Sequence, residues 1–375
     1  MGDRPGVGIL GMGSYLPPEV RSNDYWEGRL QRRDEVQRRG DILAIERTAQ
    51  GGESALPRPV AEAMAALGDD DLFRGARRRH VLADDAHAAD MEVEAVRRAL
   101  EDARVAPDEV DLLLVHSLLP DRLNPSDGPA IVDRCGLSRA VAWSLDVGCA
   151  SFQPQVVAAA ALLRAGVYRR VVQVCSTASS RFLDYSTPAS TGFGDGAAAS
   201  VLGPLPPGYG LLGHWQRTDG SLREGVALAP VRDGAPQRRW DRCAGPVRLA
   251  TFDPAVGKLA GVQGAAFCRE ACLGALEDAG LTLGDVSLYV GAQSVGWFVD
   301  ACRRALELPR ERAVDTFAEV GNISAAVNVY NLQRARADGR LRDSDVVLSY
   351  SPGAGLTRAA VVYRWHEPHS RARGP

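Results

Sequence analysis

The amino-acid sequence predicts an α/β protein made of two similar halves, each with parallel strands. Segments 99–115 and 275–290 read almost alike, each as the end of a helix, a short turn and a buried strand. They start 176 residues apart, about half of the 375-residue chain, which indicates an ancient duplication. In the first half, apolar strands at 141–147 and 171–174 flank an alanine-rich helix at 155–165, and that order favours parallel pairing.

The second half is expected to contain further apolar strands, at 286–290, 346–350 and 359–363. A stretch rich in proline and glycine, followed by many arginines, is interpreted as the crossover between the halves, at about 203–250. These features place the first half at 1–205 and the second at 206–375.

Residues 25–79 do not fit this repeat. They contain clusters of charge and one helical patch at 60–67, and are interpreted as an insertion over one face. A solvated helical decoration and a lid that shapes the substrate site are both compatible with the pattern.

Composition excludes several classes of protein. With 45% hydrophobic residues, 24% charged residues and a net charge of −3, the chain has no basic field for nucleic acid. No apolar run reaches the roughly 20 residues of a membrane helix, and the first residues lack the apolar segment of a signal peptide. We therefore expect a cytoplasmic protein. Lys258 is the only lysine, which suggests the codon usage of a high-GC bacterium.

The seven cysteines include no Cys-x-x-Cys pair, so neither a zinc site nor a disulfide framework is expected. Cys268 and Cys272 fall within 265–279, which is typical of a core helix. The glycines of Gly-Val-Gly-Ile-Leu-Gly at 6–11 match a dinucleotide-binding pattern, but they fall inside the first predicted strand. A nicotinamide or flavin site is therefore disfavoured.

Cys149 stands out because it lies in Asp-Val-Gly-Cys-Ala-Ser-Phe at 146–152, between a buried strand and the helix that follows. A thiol at a helix N-terminus meets the positive end of the helix dipole and free N–H groups, which favour the thiolate and can stabilise an oxyanion. We expect Cys149 to be a nucleophile. A buried cysteine without a chemical role is the alternative.

Two glycine-rich turns and an asparagine complete the candidate site. The turns are Gly-Phe-Gly-Asp-Gly-Ala at 192–197 and Ser-Pro-Gly-Ala-Gly-Leu-Thr at 351–357, and such turns let the backbone approach a substrate closely. Asn322 and Ser324 lie at an apparent helix start in Val-Gly-Asn-Ile-Ser-Ala-Ala. A helix cap and a catalytic amide are both compatible with Asn322.

Taken in order, these four motifs resemble β-ketoacyl-acyl-carrier-protein synthase III, of the thiolase-like superfamily, from Gly8 to Trp365. The resemblance implies a five-layered αβαβα thiolase-like fold, a homodimer and no tightly bound cofactor. It also implies an acyl-CoA or a phosphopantetheinyl acyl-carrier protein as donor. By the same resemblance Cys149 is the nucleophile, Asn322 is the catalytic asparagine, and the N–H of Ala354 joins that of Cys149 in the oxyanion hole.

The sequence departs from this family at one position. Members usually carry Pro-His-Gln-Ala-Asn after the strand of the second half, and the histidine helps to decarboxylate the malonyl extender. Here the residues are Gly-Ala-Gln-Ser-Val, so Ala292 stands in place of the histidine. Only the Asn322 amide is left to stabilise the enolate, and the loss of one such donor typically costs about 10²–10³ in rate. Condensation is therefore disfavoured, whereas acyl transfer to an amine or hydroxyl needs only some base.

No residue obviously supplies that base. His116, at the end of the first-half strand, is the duplicate of position 292 and could approach the centre by pseudo-symmetry. A strand-end histidine is also commonly a packed polar residue. Hydroxymethylglutaryl-CoA synthases, which the chain also resembles, place a glutamate just past this strand. This chain has Ser-Leu-Leu-Pro at 117–120 instead, which disfavours that subfamily.

The function predicted is that of an acyltransferase of the ketosynthase III type. It would load an acyl group onto Cys149 and pass it to an oxygen or nitrogen acceptor in secondary metabolism. One alternative is a β-ketoacyl synthase in which another group replaces the histidine. The other is a catalytically silent partner subunit of a ketosynthase-like heterodimer.

Overall fold

The structure, a computed structural model, describes residues 6–30, 56–67, 73–242 and 245–367. Within these residues the strands are β1 (Gly6–Tyr15), β2 (Glu19–Ser22), β3 (Arg78–Val81), β4 (Leu112–Ser117), β5 (Val141–Ser144), β6 (Val171–Thr177), β7 (Gly196–Leu205), β8 (Gly210–Thr218), β9 (Val226–Arg232), β10 (Ala235–Pro236), β11 (Val247–Thr251), β12 (Leu288–Gly291), β13 (Ala313–Val314), β14 (Val346–Pro352) and β15 (Thr357–Arg364). The α-helices are α1 (Arg58–Ala65), α2 (Ala88–Ala103), α3 (Gly128–Cys135), α4 (Phe152–Arg164), α5 (Pro254–Ala279), α6 (Phe298–Ala305), α7 (Phe317–Val320) and α8 (Ala326–Ala337). None of these helices is long and apolar enough to cross a membrane.

Ten strands form the central sheet, in the order β13-β12-β14-β15-β8-β1-β7-β6-β4-β5. Its two sets of five strands share one pairing pattern. In the first set, β7 lies antiparallel between β1 and β6, and β6, β4 and β5 run parallel. In the second set, β15 lies antiparallel between β8 and β14, and β14, β12 and β13 run parallel. The sets meet where Val7 of β1 pairs with Gly210 of β8.

The two similar segments of the sequence occupy equivalent places in these sets. Segment 99–115 forms the end of α2 and most of β4, and segment 275–290 forms the end of α5 and most of β12. Both strands lie inside a parallel group and are covered on both faces, which explains their continuous apolar runs. The division of the chain at residue 205 stays a prediction.

The protein has five layers, held together by three hydrophobic clusters. In the middle, α4 and α8 pack between the two sets of strands, and Phe152 and Leu332 are among their fully buried side chains. Helices α2 and α3 cover the outer face of the first set. Helices α5 and α6 cover the outer face of the second. This order of layers confirms the predicted αβαβα fold class.

The glycines near the N-terminus serve close packing. They lie within β1, as the sequence predicts. A Cβ on Gly11 would lie 2.2 Å from the backbone nitrogen of Ala103, and one on Gly13 would lie 2.2 Å from the carbonyl oxygen of Ala95. Helix α2 can therefore pack directly against β1. This close packing accounts for the glycines in β1, so a nucleotide site is not needed to explain them.

The predicted crossover at 203–250 is wrong in its first part. Residues Gly210–Thr218 form β8, a central strand between β15 and β1. The second half of β8 is largely exposed, so this segment lacks the apolar run by which the parallel strands were predicted. After β8, the chain forms a small sheet of β9, β10 and β11 before α5 begins.

The predicted insertion at 25–79 is described for 25–30, 56–67 and 73–79, and its other residues lie outside the described ranges. The predicted helical patch is α1, whose Val60 side chain is buried in the core shared with α5 and α6. Glu62 of α1 pairs with Arg304 of α6 at 2.8 Å. Helix α1 is therefore packed against the second half, and Trp26 donates a hydrogen bond to Ser190 of the first (2.8 Å), which argues against a purely solvated decoration.

Candidate active site

Cys149 lies in the turn that joins β5 to α4. Gly148 precedes it with a φ of +64°, a left-handed conformation that glycine adopts without strain. The hydroxyl of Ser151 closes the turn, because it accepts a hydrogen bond from the N–H of Val147 (2.9 Å) and donates one to the carbonyl of Gly148 (2.7 Å). The thiol is thereby held just ahead of Phe152, the first residue of α4.

The glycine turn after β14 lies against the Cys149 turn. A Cβ on Gly353 would lie 2.1 Å from the carbonyl oxygen of Val147, and a Cβ on Gly148 would lie 3.0 Å from the backbone nitrogen of Ala354. Glycine at both positions allows the two backbones to approach this closely. The backbone nitrogen of Ala354 therefore lies beside the Cys149 turn. Its part in an oxyanion hole stays a prediction.

The first turns of α4 and α8 meet at the site. The side-chain amide of Gln153 donates to Oδ1 of Asn328 on α8 (3.3 Å) and to the hydroxyls of Ser349 (3.1 Å) and Ser351 (3.0 Å) on β14. All four side chains are fully buried, so this network fixes the two helices relative to each other. The segment that precedes α8 is thereby brought to the segment that precedes α4.

Asn322 is held firmly in that segment. Its Oδ1 accepts the N–H of Ser324 (2.8 Å) and its Nδ2 donates to the carbonyl of Ser294 (3.4 Å). The glycine run at 192–197 holds its backbone: the N–H of Asn322 donates to Gly192 (2.7 Å), and its carbonyl accepts the N–H of Gly194 (3.2 Å). Asn322 is not a helix cap, because α8 begins only at Ala326.

Position 292, where the resemblance leads us to expect a histidine, directly follows β12. The N–H of Ala292 donates to the carbonyl of Tyr350 on β14 (3.0 Å). The side chain of the next residue, Gln293, donates to the carbonyl of Gly321 (3.2 Å) and accepts the N–H of Thr316 (2.8 Å). Gln293 therefore ties this strand end to the Gly-Asn-Ile-Ser run, and the side chain at 292 is a methyl group.

A carboxylate three residues before Cys149 escaped the sequence analysis. Oδ1 of Asp146 accepts the N–H of Gly148 (2.7 Å) and lies 3.1 Å from Nδ1 of His116. The side chain of His116 is fully buried, whereas that of Asp146 is 61% exposed. Burial acts to raise the pKa of Asp146, but the bonds from His116 and Gly148 hold it below its usual value. The sequence did contain one indication of this pair: β4 and β5 are neighbouring parallel strands, so the residues at their carboxyl ends lie close together.

The surroundings of Cys149 act against the thiolate that the sequence predicts. Burial raises the pKa of the thiol above its usual value, the Ser324 hydroxyl opposes the rise, and the Asp146 carboxylate adds to it. Desolvation thus outweighs the groups that would stabilise the charge, and the role of Cys149 as nucleophile stays a prediction. At neutral pH the thiol is protonated and needs a proton acceptor before it can attack.

Two other cysteines behave as the sequence predicts. Cys268 and Cys272 lie on the core helix α5, fully buried, with their Sγ atoms 3.8 Å apart. In the part of the chain that the structure describes, no three His, Cys, Asp or Glu side chains are grouped to hold a metal ion.

The fold and the site together define a class: a thiolase-like protein with a candidate nucleophilic cysteine at the turn before one of its two central helices. A family model described as 3-oxoacyl-[acyl-carrier-protein] synthase III matches residues 144–220, and the model of the C-terminal part of that synthase matches residues 276–365. The chain belongs to the β-ketoacyl-[acyl-carrier-protein] synthase III family, an enzyme family that acts on acyl thioesters.

Relatives and solved structures match over nearly the whole chain. The β-ketoacyl-[acyl-carrier-protein] synthase III of Geobacillus kaustophilus is 30% identical over 362 residues, covering 96% of this chain and 99% of its own. The crystal structure of the synthase III of Thermus thermophilus is 30% identical, with a TM-score of 0.76 and coverage of 96% and 99%. The priming β-ketosynthase of the R1128 polyketide biosynthetic pathway is 26% identical, with a TM-score of 0.77 and 98% of each chain covered.

Proposed function

We propose that this chain is an acyltransferase of the ketosynthase III type. It loads an acyl group from acyl-CoA or an acyl-carrier protein onto Cys149 and passes it to a hydroxyl or amine acceptor in bacterial secondary metabolism, in the cytoplasm. Enzymes of this family use acyl-CoA and acyl-carrier-protein substrates without a tightly bound cofactor. The proposal of an acceptor other than a malonyl group rests on residues of this chain and not on the family.

The observation that carries the proposal is the methyl group of Ala292 at the strand end that Gln293 ties to the segment of Asn322. Loading needs a nucleophile and oxyanion donors, and the turn that carries Cys149 packs closely against the turn that carries the N–H of Ala354. Decarboxylation of a malonyl group needs charge stabilisation at a second place. There the chain offers the Asn322 amide and a methyl group.

In the proposed loading step, Sγ of Cys149 attacks the thioester carbonyl carbon. The oxygen becomes an oxyanion that accepts hydrogen bonds from the N–H groups of Cys149 and Ala354. Collapse of this intermediate releases the thiol of the donor and leaves an acyl-Cys149 thioester. The acceptor hydroxyl or amine then attacks this thioester in a second step of the same kind.

Loading can be tested by intact-mass spectrometry after incubation with a panel of acyl-CoA and acyl-carrier-protein donors. We expect one donor to add its acyl mass, and Cys149→Ala to abolish the adduct completely. Cys135→Ala, which removes a buried thiol on α3, is the matched control and should load like the wild type. An adduct that persists in Cys149→Ala would refute the proposal.

The second candidate is a β-ketoacyl synthase, favoured by the retained Asn322 and by the names of the relatives. Malonyl thioester added to the loaded protein separates the two functions. Carbon dioxide and a new carbon–carbon bond would support the synthase, whereas an ester or amide formed without carbon dioxide supports the transferase. If no donor loads Cys149, the silent partner subunit becomes the better interpretation.

We also propose a homodimer built on β5. This strand is an edge of the central sheet, with β4 as its neighbour on one side. Val141 is 43% exposed and Trp143 is 41% exposed, so apolar side chains accompany the unpaired edge. Exposed edges of this kind are normally covered, and a second copy of the chain would cover this one.

A further inference from the structure

His116 is a buried imidazole whose two ring nitrogens, Nδ1 and Nε2, both lack a hydrogen bond of normal geometry. Its Nδ1 lies 3.1 Å from Oδ1 of Asp146, and Nε2 has no polar atom of the described residues as a partner. Leaving a buried polar atom unsatisfied is costly. Such atoms are therefore often found where the chemistry of a site uses them.

The register of the sheet shows on which face this imidazole lies. His116 on β4 is paired with Cys175 on β6, so both side chains point to the same face. The Sγ of Cys175 donates to Oε1 of Gln155 on α4 (3.4 Å), which identifies the face covered by α4. Cys149 stands immediately ahead of that helix. His116 and the thiol therefore lie on the same side of the sheet.

The neighbouring side chains on β4 and β6 point the other way. Ser117 and Ser176 share a hydrogen bond (3.1 Å), and Ser176 donates to Glu92 of α2 on the outer face. Glu92 is therefore separated from His116 by the sheet.

We propose that His116, oriented by Asp146, is the proton acceptor for the thiol of Cys149. The arrangement is that of a histidine–aspartate pair: the carboxylate binds Nδ1–H and leaves the lone pair at Nε2. The imidazole on β4 thus takes over from the one that the resemblance implies at position 292, directly after β12, the equivalent strand. This role rests on the proposed function, since it activates the thiol that the proposal loads.

The protons balance over both steps. During loading, Nε2 takes the proton from Sγ as the new C–S bond forms, and gives it to the sulfur of the donor as that C–S bond breaks. During transfer, the acceptor oxygen or nitrogen bonds to the acyl carbon and the bond to Sγ breaks. The proton of the acceptor then passes through Nε2 back to Sγ.

Among the titratable groups near His116, Asp146 is the one that carries a charge near pH 7. Asp146 contacts it from the turn that also carries Cys149, Cys175 lies beside it on β6, and Glu92 lies behind the sheet. Burial raises the pKa of Cys149 and places that of Cys175 well above its usual value. Burial also raises the pKa of Glu92, to about 8. All three are protonated near pH 7, so the negative charge next to the imidazole comes from Asp146.

The rate at which iodoacetamide alkylates Cys149, followed by peptide mass spectrometry from pH 6 to pH 10, tests this role. In the wild type we expect alkylation already near pH 7. In His116→Asn and Asp146→Asn we expect a rate about tenfold lower at pH 7, with a difference that shrinks as rising pH ionises the thiol directly. Alkylation needs no acyl donor, so its result stands apart from whether a donor is found.

The chain offers a matched control in a second histidine–aspartate pair, His366 and Asp343, at 3.2 Å on the surface. His366→Asn should leave the alkylation profile unchanged. His116 is buried, so His116→Asn can fail to fold. In that case Asp146→Asn decides the test, because the side chain of Asp146 is exposed and its replacement should not prevent folding. A wild-type profile in a folded Asp146→Asn or His116→Asn protein would overturn the proposal.

Discussion

Burial controls the ionisation of individual residues in this protein. Glu92 on α2 is fully buried, with one carboxyl oxygen bonded to the Ser176 hydroxyl. Burial first, and then the charge of Asp127, raise the pKa of Glu92 to about 8, against the bonds from Ser176 and Ser117. The same desolvation raises the pKa of the Cys149 thiol. Groups beside the first-half sheet are therefore kept neutral unless a partner holds their charge, as His116 does for Asp146.

Glu92 should make the stability of the protein depend on pH. Its pKa in the folded state, about 8, lies above the roughly 4.3 of an unfolded chain. Between these values the folded state keeps a proton that the unfolded state releases, so stability falls as pH rises and levels off above about 8. Glu92→Gln should remove this fall and leave the protein more stable than the wild type at pH 8.5. Urea unfolding at pH 5 and pH 8.5 measures both effects.

The control for this measurement is Glu94→Gln, on the same helix. Glu94 is partly exposed and pairs with Arg98 at 2.8 Å, so its removal should leave the pH dependence as it is. The explanation fails if Glu92→Gln loses stability between the two pH values as steeply as the wild type.

Among the structural elements, β5 is the one whose environment is incomplete. It is a four-residue strand at the end of the sheet order, and the ring of Trp143 packs edge-on against Tyr168, 6.0 Å between centroids. Most of the other strands of the sheet are buried between helices, whereas β5 presents backbone groups and apolar side chains together. An edge of this kind favours pairing with a second strand.

Trp143→Glu should therefore shift the protein from dimer to monomer, because it places a charge on the edge that the second copy would cover. Light scattering coupled to size-exclusion chromatography measures the mass directly. Trp240→Glu is the matched control, since Trp240 is 68% exposed in the segment between β10 and β11. A Trp143→Glu protein that keeps the mass of the wild type would exclude β5 as the interface.

For the whole molecule, the important feature is that the two halves share their central core. The cluster around α4 and α8 includes Leu112 and Val171 from the first set of strands and Leu288 and Val347 from the second. Neither half can expose its inner face without breaking this layer. The protein should therefore unfold in one cooperative step.

Leu332→Ala, in the middle layer, tests this cooperativity. Leu332 is fully buried on α8, so its truncation should cost about 2–5 kcal/mol. Hydrogen exchange followed by mass spectrometry should show β4 and β12 losing protection equally. Leu273→Ala on α5, where Leu273 is 40% exposed, should change protection little. Protection lost in β12 but kept in β4 would show that the halves unfold separately.

The elements that short patterns define could be predicted from the sequence. The duplicated helix-and-strand unit, the apolar parallel strands and the helix after Cys149 follow from periodicity and from turn residues, which act locally. The four ordered motifs indicated the family, which the comparisons confirm. By contrast, β8 was missed because its polar half carries no apolar run, and only pairing with β1 and β15 makes it a central strand.

The chemistry of the candidate site depended on contacts between distant segments. Position 146 is an ordinary aspartate in the sequence, and His116 is 30 residues away from it. Their pairing arises because parallel β4 and β5 end at the same edge of the sheet. The pKa of Cys149 likewise depends on how much water the fold removes from the thiol, a sum over neighbours that no local pattern encodes. Local patterns therefore identified which thiol to consider, whereas the packing of distant segments determined its protonation and placed an imidazole on the same side of the sheet.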